Sequence, residues 1–326
     1  MTIFPRISLF QLALAFAVLA LALPPQRASA ALQTLHTFCQ NAGCTEGRTP
    51  LGGLFADSTG NLYGTAFGGG RNDAAGVVFE LVTDGTKLKY KLLHRFCSRH
   101  VQSSFCTDGA KPTGNLIEDA DGNLYGTTTE GGASNAGTVF VLIPNADRSK
   151  FRLVTLYNFC TPTCVNGASP NGGLTYAGQQ TGAPYDGVSP LFGATTSGGE
   201  ASAGVAFKLD FVPGRIRRRE KVMHSFCAQA DCADGKFPSG LIAAAGGNLF
   251  GVAQNGGSGS AGVAFELSPQ GNGFAETVLY NFCSAQNCAD GRFPADAPAV
   301  IASNPTSDAV SKPRPNNTPS GYICQL

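Results

Sequence analysis

A short string of residues recurs along the chain in a fixed order, and this repetition constrains the fold more than any other feature. Each unit starts at a Phe-Cys pair, and successive pairs lie 56 to 67 residues apart. The five pairs are Phe38-Cys39, Phe96-Cys97, Phe159-Cys160, Phe226-Cys227 and Phe282-Cys283. A repeat of this length is one supersecondary unit, and neighbouring units must pack together to bury a common core.

Two more strings follow each of the first four Phe-Cys pairs. One ends in Leu, an aromatic residue and Gly, and it occurs at 61–64, 123–126, 191–193 and 248–251. The other is Gly-Gly followed by Ala-Gly-x-[Val/Ala]-Phe, and it ends at Phe79, Phe140, Phe207 and Phe265. Glycine accounts for 42 of the 326 residues, and only 14% of the residues are charged. This composition favours short strands joined by tight turns and excludes a disordered chain.

The second unit shows four apolar runs separated by turn residues. They are 114–118, 123–128, 138–143 and 151–159, and each has the length of a strand. Some runs carry apolar residues on both faces, which indicates strands that are covered on both sides. The sequence therefore predicts an all-β fold, a β-propeller of four-stranded blades.

The two ends of the repeat region predict how such a ring would close. Leu35-His36-Thr37-Phe38 matches Leu93-His94-Arg95-Phe96, which ends a unit, so the chain starts with a final strand. Residues after Phe293 begin another unit, and Pro298–Ala302 supplies its first strand. We therefore expect four regular blades and one degenerate composite blade, because pairing the two ends would hide an open sheet edge.

Residues 1–30 have the pattern of a secretory signal peptide. Arg6 precedes an apolar run, and Pro24-Pro25 and the triplet Ala28-Ser29-Ala30 follow it. An uncleaved membrane anchor is the alternative, but the run is short for a span of about 20 residues. We expect cleavage after Ala30, a repeat domain over 31–292, and a degenerate or truncated last unit with a flexible tail over 293–326. The protein is then secreted, periplasmic or extracellular, with no membrane span after cleavage.

The repeat strings resemble the GloVer tandem repeat of exported bacterial proteins. The resemblance rests on Gly122–Thr128, Gly131-Gly132 and Gly137–Phe140, and it covers about residues 31–292. It implies an exported, kelch-like β-propeller repeat protein, often tethered through a variable C-terminal anchor, and it supplies no functional residues. The chain departs from the family pattern after Pro294.

Ten of the eleven cysteines form local pairs. The expected disulfides join Cys39 to Cys44, Cys97 to Cys106, Cys160 to Cys164, Cys227 to Cys232 and Cys283 to Cys288, and Cys324 is left over. The alternative is a metal site, because His36, His94 and His224 each lie three residues before a cysteine. Tyr157 and Tyr280 occupy that position in the other units, which favours an aromatic packing role. We expect no metal ion and no cofactor.

Four other features could carry chemistry. Asp119, Asp121 and Asn123, with Glu130, resemble a calcium loop, although a hairpin turn explains the same residues. The run Arg215–Arg219 reads as a solvated hairpin tip or a site for an anionic partner. The loop Tyr176–Pro190 and the Cys97–Cys106 loop with His100 break the repeat. A cluster of His100, Glu130, Asp186 and Glu200 would indicate an enzyme.

These observations favour a binding or surface-interaction scaffold without a catalytic motif. Its ligand, extracellular or on a cell surface, cannot be named from the sequence. The alternative is a propeller enzyme, a hydrolase or lyase acting on an extracellular polymer at the central channel. A formal charge of +1 argues against nucleic acid as a partner. We expect a monomer.

Overall fold

In the computed structural model, the described residues are 33–70, 75–85, 87–98, 106–215 and 217–295. The expected signal peptide, Pro298–Ala302, His100 and Cys324 lie outside them. The chain divides into two units, residues 1–35 and 36–326, and every strand described below belongs to the second.

The strands form four antiparallel sheets that follow one another along the chain. The first sheet contains β1 (Phe55–Ala56), β2 (Leu62–Ala66), β3 (Val77–Asp84) and β4 (Lys87–Arg95). The second contains β5 (Ala110–Pro112), β6 (Ile117–Glu118), β7 (Leu124–Glu130), β8 (Thr138–Pro144) and β9 (Phe151–Asn158). The third contains β10 (Ala168–Pro170), β11 (Thr175–Tyr176), β12 (Leu191–Ser197), β13 (Val205–Asp210) and β14 (Arg219–Ser225). The fourth contains β15 (Lys236–Ala243), β16 (Leu249–Asn255), β17 (Val263–Gln270) and β18 (Gly273–Asn281).

This arrangement confirms the all-β expectation and the four-stranded unit. In the second and third sheets two short segments together take the place of the first strand, because β5 and β6 both pair with β7, and β10 and β11 both pair with β12. The first strand of the second unit therefore starts at Ala110, earlier than the predicted Gly114. Residues 33–38 belong to no strand, and the fifth blade remains a prediction.

The described helices are single 3-10 turns. They are Ala42–Cys44, Cys164–Asn166, Gln179–Thr181, Ala230–Cys232, Ala245–Gly247 and Gln286–Cys288. Across the described ranges, none of the helices has the length and apolar character needed to cross a bilayer.

The glycine that ends the Leu-aromatic-Gly string lies under a phenylalanine ring of the next strand. Gly126 on β7 faces Phe140 on β8, and a Cβ at Gly126 would lie 2.7 Å from Cζ of that ring. The same contact joins Gly193 to Phe207, at 2.5 Å. Glycine is thus needed at this position because any side chain would push the ring out of the sheet.

The phenylalanines of three Phe-Cys pairs, Phe96, Phe159 and Phe226, link their own sheet to the next one. Phe96 is fully buried and packs edge-on against Phe140, with ring centroids 5.2 Å apart. Phe159 packs in the same way on Phe207, at 5.1 Å. These rings lie in the apolar clusters between successive sheets, so the core is shared between units.

Each of the first four cysteine loops supports the Gly-Gly turn of its own unit. Five disulfides close these loops, between the residues 39 and 44, 97 and 106, 160 and 164, 227 and 232, and 283 and 288. The amide of Gly132 donates to the carbonyl of Cys106 at 2.9 Å, and a Cβ at Gly131 would lie 2.5 Å from the same oxygen. Five disulfides indicate an oxidising compartment.

Candidate functional site

A cavity of about 960 Å³ lies where the first strand of each of three units leads into the second. The turn between β1 and β2, the turn between β6 and β7, and the loop after β11 form its walls. Its lining includes Asp57, Ser58, Thr59 and Asn61, then Glu118, Asp119, Asp121 and Gly122, and finally Phe55, Arg148, Tyr176 and Gln179. Binding cavities for small molecules have volumes of about 300–1,000 Å³.

Two aspartates shape the turns of this cavity. Oδ1 of Asp119 accepts hydrogen bonds from the amides of Asp121 and Asn123, at 3.0 and 2.9 Å. Its Oδ2 accepts the Asn123 side-chain amide and the Tyr125 hydroxyl, both at 2.8 Å. All four donors hold the carboxylate in place, so this residue stabilises the hairpin turn.

Asp57 repeats the arrangement in the first unit. Its Oδ1 accepts the amides of Thr59 and Asn61, and its Oδ2 lies 3.1 Å from the hydroxyl of Tyr63. Burial opposes ionisation of this carboxyl, but these hydrogen bonds outweigh burial and hold the pKa of Asp57 below its ordinary value.

The structure favours the hairpin over the calcium loop for residues 119–123. Glu130, which would complete the calcium ligands, lies at the far end of β7, about 20 Å along the strand from the turn. There it forms an ion pair of 2.6 Å with Lys111. The oxygen ligands therefore do not converge.

Arg148 connects the first two sheets at the floor of the cavity. It projects from the turn between β8 and β9, and its Nη2 donates to Oε1 of Glu118 at 2.9 Å and to the hydroxyl of Tyr63 at 3.0 Å. Gly122 allows this approach, because a Cβ there would lie 2.0 Å from Nη1 of Arg148. Burial raises the pKa of Glu118, and the negative charges of Asp57 and Asp119 add to this effect, while Arg148 opposes it.

The network continues into the interface between the sheets. The Tyr63 hydroxyl donates to Oε1 of Glu80 at 2.9 Å, and Glu80 is 4% exposed. Lys91 lies 3.0 Å from Oε2 of Glu80 and donates to the backbone carbonyl of Arg148 at 2.8 Å. Burial, followed by the charge of Glu80, raises the pKa of Tyr63 well above its ordinary range. The tyrosine therefore stays protonated at physiological pH.

The long loop of the third unit fills the equivalent place between the second and third sheets. Tyr185, which is fully buried, packs edge-on against Tyr125 at 5.2 Å, and its amide donates to the carbonyl of Glu118 at 3.1 Å. Arg218 donates from Nη2 to the carbonyl of Gly187 at 2.5 Å.

This placement corrects the expectation of a solvated tip for the whole run Arg215–Arg219. Arg218 is 8% exposed and its guanidinium lies 4.9 Å from the ring centroid of Phe211. Arg215, Arg217 and Arg219 are exposed. The loop of the third unit covers Arg218, and this contact is invisible in the local sequence.

The residues that would have marked an enzyme do not come together. Asp186 lies before β12 and accepts hydrogen bonds from the amides of Val188 and Ser189. Glu200 follows the other end of β12, and Glu130 lies at the corresponding end of β7. His100 is outside the described residues.

The histidines before the cysteines bind the carboxylates that end the cysteine loops. His224 Nε2 lies 3.1 Å from Oδ2 of Asp234, and His94 Nε2 lies 3.4 Å from Oδ2 of Asp108. In the last unit the Tyr280 hydroxyl donates to Asp290 at 2.5 Å. His36 instead stacks on Tyr90, at 4.4 Å. In the described part of the chain, no three His, Cys, Asp or Glu side chains form a metal-binding group.

Sequence reasoning missed Glu118, Arg148, Tyr63 and Glu80. One signal was present, because an aspartate lies six residues before a tyrosine in both the first and second units. That spacing identifies the pair that closes each turn. Arg148 and Glu118 are not detectable in this way because each occurs in a single unit. Arg148 contacts Glu118, 30 residues away, and Tyr63, 85 residues away.

The comparisons with known proteins agree with this repeat. Residues 24–188 match the model of the Gloeobacter/Verrucomicrobia repeat, so the chain belongs to the Gloeobacter/Verrucomicrobia (GloVer) repeat family. No curated protein matches the chain in sequence.

Several solved β-propeller structures are similar to the chain. A gluconolactonase from Xanthomonas campestris shares 15% identity with a TM-score of 0.41, over 69% of this chain and 60% of that one. A family-43 endo-arabinanase from Bacillus licheniformis shares 12% identity with a TM-score of 0.40, over 73% and 81% of the two chains. A thermostable family-43 glycoside hydrolase shares 10% identity with a TM-score of 0.42, over 76% and 80%. At these values the similarity says nothing about activity or substrate.

Proposed function

We propose that the protein is an exported binding scaffold, and that its ligand occupies the cavity between the first three units. The observation that carries this proposal is the fixed lining of the cavity. Asp57 and Asp119 are held by turn hydrogen bonds, and Glu118 is held by Arg148. Such a lining presents acceptors in constant positions, which suits recognition.

The lining also suggests the class of ligand. Phe55 and Tyr176 lie beside carboxylates and the exposed side chains of Ser58 and Gln179. Aromatic faces next to acceptors suit a polyhydroxylated molecule. Four carboxylates against one arginine disfavour an anion.

Catalysis has less support within the described residues. A general acid or base must be free to exchange a proton with the substrate. Asp57 and Asp119 each accept hydrogen bonds at both oxygens, from Asn61 in the first turn and from Asp121, Asn123 and Tyr125 in the second. A hydrolase or lyase acting on extracellular polymers is therefore the second candidate function. The fold of the family is compatible with it, but the lining of this cavity does not favour it.

The proposal includes the finer architecture. The four sheets are blades of a β-propeller, with a fifth, composite blade from the two ends of the chain, and the protein acts outside the cytoplasm as a monomer.

The test is binding to an array of neutral and amino oligosaccharides, followed by calorimetry with the strongest hit. Arg148→Ala and Asp121→Asn should each weaken that binding about tenfold or more, because both groups line the cavity. Glu200→Gln is the matched control, since Glu200 is an exposed acid at the other end of the strands. Binding that is unchanged in the cavity variants but lost in Glu200→Gln would overturn the proposed site.

A further inference from the structure

A second cavity, of about 540 Å³, lies between the end of β4 and the hairpin that joins β8 to β9, and we call it the hairpin cavity. Ile143, Phe151 and Leu153 give it an apolar wall, and His94 and Asp108 contribute polar groups. Its volume, and an apolar wall combined with few polar groups, are typical of a small-molecule site. Among the described residues, it shares no lining residue with the larger cavity.

Two features set this place in the second unit apart from its counterparts. The cysteine loop beside it is the longest of the five, because Cys97 and Cys106 are nine residues apart while the other disulfides span four or five. The outer strand carries Leu153 where the third and fourth sheets carry Glu220 and Glu276. The loop that breaks the repeat therefore borders a cavity with its own lining.

The aspartate that follows this loop is bound differently from its counterpart in the fourth unit. Both oxygens of Asp234 accept hydrogen bonds from backbone amides, those of Ala228 and Gln229. Oδ2 of Asp108 accepts the amide and the hydroxyl of Ser98, at 3.1 and 2.8 Å. Its Oδ1 is buried and has no hydrogen-bond partner in the described chain.

His94 supplies a second unpartnered atom. Its Nε2 is buried without a hydrogen-bond partner in the described chain, and its contact with Asp108 is 3.4 Å long, against 3.1 Å between His224 and Asp234. Burial opposes ionisation of Asp108, but His94 and Ser98 outweigh burial and hold its pKa below the ordinary value. The hairpin cavity thus contains a charged carboxylate, 4% exposed, with one oxygen that needs a donor.

Two cations border the same cavity. Lys150 and Arg152 line it and are exposed, and neither side chain has an anionic partner in the described part of the chain. Lysine and arginine bind carboxylates through charge-assisted hydrogen bonds. A ligand that suits this lining therefore combines an anionic group with a hydrogen-bond donor.

We propose that the hairpin cavity binds a hydroxylated carboxylate of about the size of a uronic acid. The carboxylate of the ligand binds Lys150 and Arg152, and one of its hydroxyls donates to Oδ1 of Asp108. A hydroxyl both donates and accepts, so a second one also serves as the partner of His94 Nε2. The site is separate from the larger cavity, and it does not depend on the ligand proposed there.

Calorimetry on the mature full-length protein with glucuronate tests the proposal. Glucose, which has hydroxyls and no charge, and hexanoate, which has the charge and no hydroxyls, are the comparison ligands. Glucuronate should bind about tenfold or more tightly than either, because each of them lacks one of the two groups. Equal binding of hexanoate and glucuronate would show an unspecific attraction of anions and would overturn the proposal.

The repeat offers a matched control for the cations. Arg152→Gln should weaken glucuronate binding about tenfold and leave the weak binding of glucose unchanged. Arg219 is an exposed arginine at the same position of the third sheet, since it pairs with Asp210 as Arg152 pairs with Ile143. Arg219→Gln should therefore have no effect on either ligand. An equal effect of the two substitutions would contradict the site.

The aspartates provide a second matched pair. Asp108→Asn should weaken glucuronate binding about tenfold or more, because Ser98 holds the amide oxygen and the NH2 group replaces the acceptor that faces the ligand. Asp234→Asn should leave this binding unchanged, because both oxygens of Asp234 are occupied by the chain. If glucuronate does not bind and the two substitutions destabilise the fold equally in urea, the chain itself satisfies both carboxylates and the inference is wrong.

One further variant separates the two cavities. Asp121→Asn changes the lining of the larger cavity and should leave glucuronate binding intact. If this substitution weakens glucuronate binding while Arg152→Gln does not, the acid binds in the larger cavity, which overturns the hairpin site. Glucuronate binding without any oligosaccharide binding would refute the proposed function alone.

Discussion

Glu276 provides a direct test of the electrostatics of the repeat. It lies on β18, half-buried, and its Oε1 is buried without a hydrogen-bond partner. Burial raises the pKa of Glu276 from 4.5 to about 7, and the negative charge of Asp234, at the end of the preceding cysteine loop, adds to this effect. Asp234 is fully buried and bound to His224.

The sign of the effect follows from the direction of the shift. The folded protein holds the proton of Glu276 more tightly than the unfolded chain, so folding is favoured at low pH. This contribution is lost as the pH rises from about 4.5 to about 7, and no further change occurs above that range. A pKa raised from 4.5 to about 7 corresponds to about 3 kcal/mol. Access of solvent to this half-buried group reduces the expected loss to about 1–2 kcal/mol.

The perturbation is Glu276→Gln, which keeps the shape and removes the charge. We expect a gain of about 1–2 kcal/mol in the free energy of unfolding at pH 8 and little change at pH 4.5, measured by urea unfolding at both values. Glu200→Gln is the control because Glu200 is exposed. An equal gain at both pH values, or none at pH 8, would refute the reasoning.

Three further outcomes are expected. Thiol titration of the unfolded, unreduced mature protein should find at most one free sulfhydryl, since five disulfides use ten of the eleven cysteines; three or more would contradict the pairing. Gly126→Ala should destabilise the fold by about 2 kcal/mol in urea unfolding because its Cβ meets the Phe140 ring, whereas Gly273→Ala, where the nearest atom is 3.8 Å away, should be nearly neutral. Gly122→Ser should weaken oligosaccharide binding by displacing Arg148. An unchanged affinity would show that Arg148 does not contribute to ligand binding.

The repeated features of the fold were predictable because the same residues recur at the same spacing in several units. The glycine under the phenylalanine ring and the cysteine loop occur in four units or more, and their spacing predicts the same local structure each time. The split first strand was harder to predict. Ala110–Pro112 and Ile117–Glu118 both pair with β7, and the segment between them carries Gly114, where a Cβ would lie 2.2 Å from the carbonyl oxygen of Gly172 in the next unit. Contact with a neighbouring unit thus interrupts the strand.

The candidate site was less predictable because its residues come from different units. Arg148 and Tyr63 are 85 residues apart, and neither has a local pattern that indicates the contact. Arg218 looked solvated because the residues beside it are charged, but the loop with Tyr185 covers it. The insertion of the third unit covers an arginine of its own unit and packs on Tyr125 of the preceding unit, and these contacts depend on the three-dimensional packing of the sheets.

The polar network is also confined to one part of the repeat, which bears on where recognition occurs. Tyr63 and Tyr125 each bind the aspartate of their own turn, and an arginine of the following unit lies close to each. In the third unit Phe192 replaces the tyrosine and packs on Phe274 at 6.5 Å, so the contact at this position is apolar. Buried polar groups cost free energy unless they are satisfied, and an apolar pair of similar volume would serve packing equally well. The first two interfaces keep their polar groups beside the cavity, and this placement favours the cavity as the part of the molecule that recognises a ligand.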